Sequence, residues 1–364
     1  MKYLFFVQSD GRGHLTQSLS LAEELRQKGH EIVAIILNDN PTRVIPAFFK
    51  EEIKAPLYFI KSPYFLINKD GTGINLHKSI FFNIFRLKTY LKSLKTIKNL
   101  CREYQPDVVV NFFEPLAGLY NLFYQFKIPF FSVGHQFFVE HPAFKRPIGH
   151  FKDYCYFIFY NHLTSYGSTA IIALSFTEEP DYPEKKIVVC PPLIRFDVKN
   201  LVPKRDDFIL SYILNYGCCE EIKNWAILHP EQKIEAFWDK KDEPEIKSFG
   251  KNLVFYPISG QKFLDLLQNC STYITTGGFD SISEAAYLQK NILMVPTKNH
   301  YEQLCNAYDA TRAKLAVFDS FFNIDLAISE QKIRSEEPGR IFKNWVDNNS
   351  KKIVDFVTLK ESIK

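Results

Sequence analysis

The most informative pattern in the sequence is a diglycine followed closely by a serine and a glutamate. Gly277 and Gly278 end a predicted strand, and a helix is predicted to begin near Ser281 with Glu284 in its first turn. Glycines let a ligand approach the backbone, and the unpaired N–H groups at a helix start attract an anion. The pattern predicts a phosphate site, with Glu284 able to hold a ribose diol. The same spacing also fits a capping box, in which the glutamate is purely structural.

A carboxylate and an amide stand together at the start of the next predicted helix. Glu302 and Gln303 follow a strand that ends at Pro296. A carboxylate accepts hydrogen bonds and an amide also donates them, so the pair could hold adjacent hydroxyls of a sugar. Taken without context, the pair is better explained by compensation of the helix dipole, which favours a negative charge at this position.

The N-terminal half offers one candidate general base. A turn containing Gly11 and Gly13 leads from the first predicted strand into a helix, with His14 at the helix start. A histidine with an ordinary pKa of about 6.5 is mostly neutral near pH 7 and can accept a hydroxyl proton. A surface histidine at a helix start is equally consistent with the spacing. Asp10 and Glu114 are the carboxylates that the sequence offers to orient the imidazole ring.

Two common nucleotide motifs are not matched by this turn. A dinucleotide fingerprint needs a third glycine at position 16, where the sequence has Thr16. A Walker A sequence is absent from the chain. What remains is a glycine turn after the first strand, where open α/β sheets place their ligands.

Short buried strands alternate with helices along both halves of the chain, which indicates two parallel α/β sheets. Predicted strands lie at 2–8, 31–37, 107–112, 129–133 and 187–190 in the first half. The second half has predicted strands at 208–212, 233–238, 252–256, 272–276 and 291–295. Two prolines at 191 and 192 suit a domain joint. We predict an N-terminal domain over 1–190, a linker over 191–205, a second domain over 206–340 and a C-terminal helix over 341–364 that packs back on the first domain.

Composition restricts the class of protein further. The chain has 364 residues and a net charge of +4, no apolar run long enough for a membrane span, and no nucleic-acid motif. Its seven cysteines form no C-x-x-C pair and lack zinc-ligand spacing. The sequence therefore predicts a cytoplasmic protein with reduced thiols and no partner nucleic acid.

Together these segments resemble the glycosyltransferases of the GT-B class, which have two Rossmann-like domains facing across a cleft. The similarity is to the lipid-linked N-acetylglucosaminyltransferases of peptidoglycan synthesis and to the UDP-glycosyltransferases. The similarity is weak over the N-terminal strand, the Gly-x-Gly-His turn and the following helix. It is strong over the stretch from Asn252 to Ala313. The resemblance implies an inverting transfer from a nucleotide-sugar, UDP-linked by preference, without a bound metal or other cofactor. The implied acceptor is a glycolipid or a cell-envelope glycan.

The resemblance also implies roles for individual residues. The donor diphosphate would lie at Gly217, Thr276, Gly277, Gly278 and Ser281, the ribose at Glu284, and the donor sugar at Glu302 and Gln303. His14 would occupy the acceptor-side base position. From the sequence itself we place Glu114 with His14 in the catalytic group, and Gly11, Gly13 and His135 on the acceptor side. This chain departs from the family pattern in having Thr276 in place of a histidine, Asp280 in place of an asparagine, and Gln17 in place of a proline.

Residues 78–104 are predicted to form a helix, and residues 78–102 carry seven basic side chains and no acidic ones. On a helix Lys88, Lys92 and Lys95 would share one side with two phenylalanines, beside an apolar face of Ile80, Ile84, Leu87, Leu91 and Leu94. A core-packed helix with a solvated basic edge is the simpler interpretation. The alternative is contact with an anionic membrane surface, which would make the protein membrane-associated.

Two other functions remain open from the sequence. A UDP-N-acetylglucosamine 2-epimerase could share the two-domain plan and would need no separate acceptor. A non-catalytic nucleotide-sugar-binding protein could retain the donor site alone.

Overall fold

A computed structural model describes residues 1–40, 45–64, 66, 76–213, 219–238, 245–333 and 335–358. These residues form two seven-stranded sheets with helices around them, one sheet in each half of the chain. The predicted α/β fold with two Rossmann-like halves is confirmed.

The first sheet is parallel throughout and has the strand order β3-β2-β1-β4-β5-β6-β7. Successive residues of its central strand are buried in two separate core clusters, as expected for a sheet covered on both faces. The strands β3 and β6 were not predicted. The seven strands are β1 (Lys2–Val7), β2 (Glu31–Asn38), β3 (Leu57–Ile60), β4 (Val108–Phe112), β5 (Phe130–Gly134), β6 (Ala170–Leu174) and β7 (Ile187–Cys190).

Helix α1 (Gly13–Gln27) buries the apolar stripe that the sequence predicts, namely Leu15, Leu19, Ala22 and Leu25. Gly29, with φ of +77°, follows its end, as expected for a glycine in the left-handed conformation. The other helices of this half are α2 (Ala47–Glu52), α3 (Leu76–Phe85), α4 (Leu87–Tyr104), α5 (Pro115–Tyr124), α6 (Phe151–Thr164) and α7 (Phe196–Lys199).

The single helix predicted over 78–104 is wrong in two respects. The structure divides it at Arg86 into α3 and α4. Of the predicted apolar face only Leu94 is buried, whereas Ile80, Ile84, Leu87 and Leu91 are exposed. The buried side of α4 is rotated from the expected one and consists of Tyr90, Ser93, Leu94, Ile97 and Leu100.

The second sheet has the order β10-β11-β9-β8-β12-β13-β14, and only β10 runs antiparallel to its neighbour. Its strands are β8 (Asp206–Ile213), β9 (Lys233–Trp238), β10 (Lys247–Phe249), β11 (Leu253–Pro257), β12 (Cys270–Thr275), β13 (Asn291–Met294) and β14 (Val317–Phe318). The helices are α8 (Cys219–Leu228), α9 (Gly260–Asn269), α10 (Phe279–Tyr287), α11 (Tyr301–Arg312) and α12 (Ile324–Ile333).

The last two helices, α13 (Glu337–Asn348) and α14 (Lys352–Thr358), return to the first half of the chain. The indole of Trp345 donates to the carbonyl of Ser175 at 3.1 Å, and Tyr3 donates to the carbonyl of Val357 at 3.2 Å. A further ion pair joins Arg312 of α11 to Glu179 at 2.9 Å. These contacts, together with the packing of α1 on α10, fix the two halves against each other around a cleft.

Candidate functional site

A cavity of about 360 Å³ lies where the two sheets face each other. Strand order reverses between β1 and β4 in the first sheet and between β8 and β12 in the second. Ligands of open α/β sheets bind beyond the carboxyl ends of strands at such reversal points. Both reversal points contribute to the lining, through the segment 10–14 and Phe113 from one half and through 278–281 from the other. The fold thus assembles one site from two domains.

His14 lies in the first turn of α1 and lines this cavity. Its ring stacks on Phe113, with 5.7 Å between ring centroids. Its Nδ1 is 3.3 Å from Oε1 of Gln17, and its Nε2 is 3.2 Å from Nε2 of Gln136. Burial lowers the pKa of His14 to about 4, partly offset by the hydrogen bond to Gln17. The imidazole is therefore neutral near pH 7, the state in which it can accept a proton.

Phe113 adopts a backbone conformation that is unusual for an aromatic residue. Its φ is +61°, in the left-handed region that few non-glycine residues enter. Such conformations concentrate at functional sites, where the surrounding structure enforces them. Here the conformation brings the aromatic ring from the end of β4 onto the ring of His14.

Glu114 does not support His14 in the way that the sequence suggested. Its carboxylate caps α5 by accepting from the backbone N–H of Leu116 at 3.1 Å, and it also accepts from the hydroxyl of Ser62. Burial raises the pKa of Glu114 to about 8. Asp10, the other proposed partner, accepts from Asn40 at 2.6 Å. The amides of Gln17 and Gln136, and not a carboxylate, are the polar neighbours of the His14 ring nitrogens.

The strand–diglycine–helix segment has the geometry that its sequence predicts. Gly277 has φ of +102°, and its carbonyl accepts from Asn306 at 2.9 Å. Gly278 is the N-cap of α10, which begins at Phe279, two residues before the expected start. The first N–H groups of this helix can bind an anion because no preceding turn pairs them. Gly278 and Ser281 line the cavity, whereas Thr276 and Gly277 are not among the described lining residues.

The capping box expected from Ser281 and Glu284 does not form. The hydroxyl of Ser281 donates to the carbonyl of Gly278 at 3.1 Å. Glu284 instead forms a two-pronged ion pair with Arg195, at 2.6 Å to Nε and 2.7 Å to Nη2. Both side chains line the cavity. An ionised carboxylate has about four lone-pair sites, so Glu284 keeps acceptor capacity for a ligand hydroxyl.

Glu302 and Gln303 both line the cavity at the start of α11. Glu302 accepts from Nε2 of Gln136 at 2.9 Å, and burial raises its pKa to about 7. Oε1 of Gln303 accepts from the backbone N–H of Thr297 at 2.8 Å, which leaves its amide N–H groups for other partners. Gln136 thus links Glu302 of the second half to His14 of the first.

The remaining predicted residues differ in their placement. Gly11 and Gly13 line the cavity, and a Cβ at Gly13 would overlap the carboxylate of Asp280. His135 also lines it, but its ring stacks on Phe279 at 4.1 Å and its Nδ1 donates to the carbonyl of Leu174 at 2.7 Å. It belongs to the joint between the domains as much as to the cavity. Gly217 lies outside the described residues.

Sequence reasoning missed the residues that connect the two halves of the site. Gln17 appeared only as a departure from a family pattern, and Arg195 only as part of the linker. Gln136, Asp280 and His300 also line the cavity. None has a spacing that marks it as functional. The side chains of Gln17, Arg195, Gln136 and Asp280 bond residues far away in the sequence, whereas the ring of His300 accepts from the nearby backbone N–H of Gln303.

None of the described helices combines the length and the apolar character that a membrane crossing requires. In the same part of the chain, no three His, Cys, Asp or Glu side chains are grouped as metal ligands.

The family model described as glycosyl transferase family 1 matches residues 1–331. This chain belongs to that family. The enzyme is a glycosyltransferase. No protein with curated annotation matches its sequence significantly.

Solved structures of glycosyltransferases have the same fold. The glycotransferase of kitacinnamycin is 14% identical, with a TM-score of 0.67 and 98% of each chain covered. The calicheamicin glycosyltransferase CalG4 is 15% identical, with a TM-score of 0.61 and the same coverage. MurG of Acinetobacter baumannii is 15% identical, with a TM-score of 0.56, and the match covers 98% of this chain and 99% of that one. At these identities the similarity shows the GT-B fold and nothing finer.

Proposed function

We propose that the enzyme transfers a sugar, with inversion, from a UDP-linked donor to an acceptor hydroxyl, without a bound metal. The observation that carries this proposal is the shared cavity, in which His14 of one domain faces the N-terminus of α10 from the other. A neutral imidazole and a helix start are the two groups that a displacement at an anomeric carbon requires, one for the incoming hydroxyl and one for the leaving diphosphate.

In the proposed step His14 accepts the proton of the acceptor hydroxyl at Nε2. The hydroxyl oxygen forms a bond to the anomeric carbon as the bond from that carbon to the diphosphate oxygen breaks. The diphosphate leaves with the electron pair and is stabilised by the first N–H groups of α10. Attack from the face opposite to the leaving group inverts the configuration.

The donor is held by groups that surround this helix start. Glu284 offers lone pairs to the ribose diol beside its ion pair with Arg195. Glu302 and Gln303 lie at the start of α11, where a carboxylate and an amide can bind adjacent sugar hydroxyls. The choice of UDP over other nucleotides rests on the resemblance in sequence to UDP-glycosyltransferases.

A thermal-shift panel of UDP-, GDP-, CDP- and TDP-sugars tests the donor. A ligand at a hundred times its Kd stabilises by about 2.7 kcal/mol, so a true donor raises Tm clearly above the others. Transfer is then measured with that donor, and the anomeric configuration of the product is read by NMR. A retained configuration, or a changed sugar nucleotide formed from the donor alone as in a 2-epimerase, would contradict the proposal.

We also propose that α3 and α4 contact an anionic membrane surface. Phe81, Phe85 and Leu87 are 63%, 83% and 57% exposed. Neighbouring exposed apolar side chains of this size are unfavourable in water and mark a surface that contacts a partner or a membrane. Lys88 and Lys92 are exposed on α4 next to these apolar residues. Aromatic and basic side chains together favour the interface of an anionic bilayer. Such a site would suit a lipid-linked acceptor.

Co-sedimentation with vesicles tests this contact. We expect binding to vesicles of phosphatidylcholine and phosphatidylglycerol, weaker binding to phosphatidylcholine alone, and loss of binding in the double variant F81S/F85S. Phe321→Ser is the matched control, because Phe321 is 52% exposed but lies in the other domain. Equal binding of the double variant and the control would exclude α3 as the contact.

A further inference from the structure

A chain of hydrogen bonds crosses the cleft from the donor-side domain to His14. Asp280, in the first turn of α10, accepts from Nε2 of Gln17 through both oxygens, at 2.9 and 3.2 Å. Oε1 of the same glutamine is 3.3 Å from Nδ1 of His14. Gln17 is 1% exposed, so its amide has little access to water as an alternative partner.

The carboxylate fixes the orientation of this amide. The NH₂ of Gln17 faces Asp280 in the structure, and above the pKa of about 7 that burial gives Asp280 the ionised carboxylate can only accept from it. The carbonyl oxygen of Gln17 then faces His14 and can only accept. Nδ1 of His14 must therefore carry the proton, which leaves the lone pair on Nε2.

A second amide on the other side of the ring leads to the same tautomer. Nε2 of Gln136 is 2.9 Å from a carboxylate oxygen of Glu302 and 3.2 Å from Nε2 of His14. When Glu302 is ionised, the NH₂ group that donates to it presents its other hydrogen to His14, which again requires a lone pair on Nε2; the acceptor hydroxyl must displace this amide hydrogen to use that lone pair. The protonation of each ring nitrogen is thus determined by a carboxylate of the opposite domain, which acts through one glutamine.

We propose that Gln17 and Asp280 are positioning residues that hold His14 in the tautomer needed for a general base, and that they do so only when the two domains are closed. The inference rests on the proposed function, in which Nε2 of His14 receives the acceptor proton. Gln17 stands on α1 with His14, whereas Asp280, which orients Gln17, stands in the other half of the chain.

The contact between Gln17 and Asp280 requires the two domains to approach closely. A Cβ at Gly13 would overlap Oδ2 of Asp280, so the carboxylate can reach Gln17 only past a glycine. When the cleft opens, Asp280 withdraws with its domain and the amide of Gln17 loses the partner that orients it. His14 would then be free to change tautomer, and a proton on Nε2 would prevent it from acting as a base. Donor-domain closure would in this way activate the base.

The tautomer of His14 can be measured directly by NMR on the full-length protein labelled with ¹⁵N-histidine. The chain has nine histidines, and His14→Gln assigns the resonance in question. In the wild-type protein at pH 8.5, above the pKa of about 7 that burial gives both Asp280 and Glu302, we expect the proton on Nδ1 and an unprotonated Nε2. In Gln17→Met, which keeps the length of the side chain, and in Asp280→Ala, we expect a mixture of tautomers or a proton on Nε2.

Glu179→Gln is the control for a general effect of domain contacts. It weakens the ion pair with Arg312 between the two halves of the chain without touching His14. We expect the wild-type tautomer in this variant. A wild-type tautomer in both Gln17→Met and Asp280→Ala, or a proton on Nε2 in the wild-type protein, would overturn the proposal.

Turnover separates this inference from the proposed function. With the donor found by the thermal-shift panel, Gln17→Met and Asp280→Ala should each lower kcat by about 10- to 100-fold, the range known for partners that orient a metal-ligating histidine. KM for the donor should change little, and the double variant should be no worse than either single one. If His14→Gln keeps full turnover, the base assignment fails whatever the tautomer. If His14→Gln is inactive and Gln17→Met is not, only the relay fails.

Discussion

Arg195 and Glu284 join the interdomain linker to the donor-side helix through two hydrogen bonds of 2.6 and 2.7 Å. Glu284 is 4% exposed, so the carboxylate depends on Arg195 for compensation of its charge. A residue that the sequence places at the ribose is therefore also part of the structure that fixes the domain joint.

We expect Arg195→Met to destabilise the protein by about 3–5 kcal/mol, because it leaves the buried carboxylate of Glu284 unpaired. The measurement is urea unfolding at pH 7. Arg205→Met is the matched control: Arg205 pairs with Glu336 at 3.1 Å, both side chains are well exposed, and such pairs contribute about 0–1 kcal/mol. Equal losses in the two variants would show that Glu284 is compensated by another group.

His14→Ala should lower kcat by about 10²- to 10⁴-fold and leave the Kd for the nucleotide nearly unchanged, because general-base catalysis contributes that much and the ring is not part of the donor site. Steady-state kinetics and titration calorimetry with UDP are the two measurements. Unchanged kcat would remove His14 from the mechanism.

The pH profile should reflect the lowered pKa of His14. The base is active when unprotonated, so kcat/KM should be lost as pH falls through about 4, well below the value for an ordinary histidine. Glu302 and Asp280, whose pKa values burial raises to about 7, lie one glutamine away on either side. If activity is lost near pH 7 and this loss disappears in Glu302→Gln, the titrating group is the carboxylate of Glu302 and not the imidazole of His14.

Glu114→Gln should retain turnover, because Glu114 caps a helix and does not contact His14. Its pKa of about 8 means that the folded protein holds this carboxyl protonated at neutral pH. In the unfolded chain Glu114 has the ordinary pKa of a glutamate, so its contribution to the free energy of unfolding is full below that pKa. The contribution is lost as pH rises from there through about 8, the pKa in the folded protein. The glutamine variant should therefore lose less stability than wild type between pH 6 and 9. Urea unfolding at the two pH values measures the difference in stability. A large loss of turnover in Glu114→Gln would show that Glu114 takes part in catalysis.

Gly13→Ala should lower turnover because its Cβ would overlap the carboxylate of Asp280 and hold the domains apart. Gly11→Ala is the control in the same turn, since a Cβ at Gly11 would have no heavy atom within 4 Å. The double variant G13A/D280A should relieve the overlap without restoring the hydrogen bond to Gln17. Equal activity of the two alanine variants would mean that the close approach at Gly13 is not needed.

The sequence by itself predicted ten of the fourteen described strands, but not β3, β6, β10 or β14, and it identified half of the site. Runs of buried apolar residues predicted the central strands, the spacing of Leu15 to Leu25 predicted the buried side of α1, and Gly29 predicted where that helix is followed by a turn. The same local patterns brought Gly278, Ser281 and Glu302 to the cavity, because strand ends and helix starts are encoded by neighbouring residues.

Only the tertiary structure decided how these residues are connected. The pairs Arg195–Glu284 and Gln17–Asp280 join residues 89 and 263 positions apart, and they depend on how the two domains face each other. The same reason explains the two errors. Glu114 was assigned to His14 by proximity to a strand end, and the apolar face of α3 and α4 was assigned to the core by its periodicity. Periodicity identifies which residues share a side of a helix, but burial depends on what the rest of the chain places against that side.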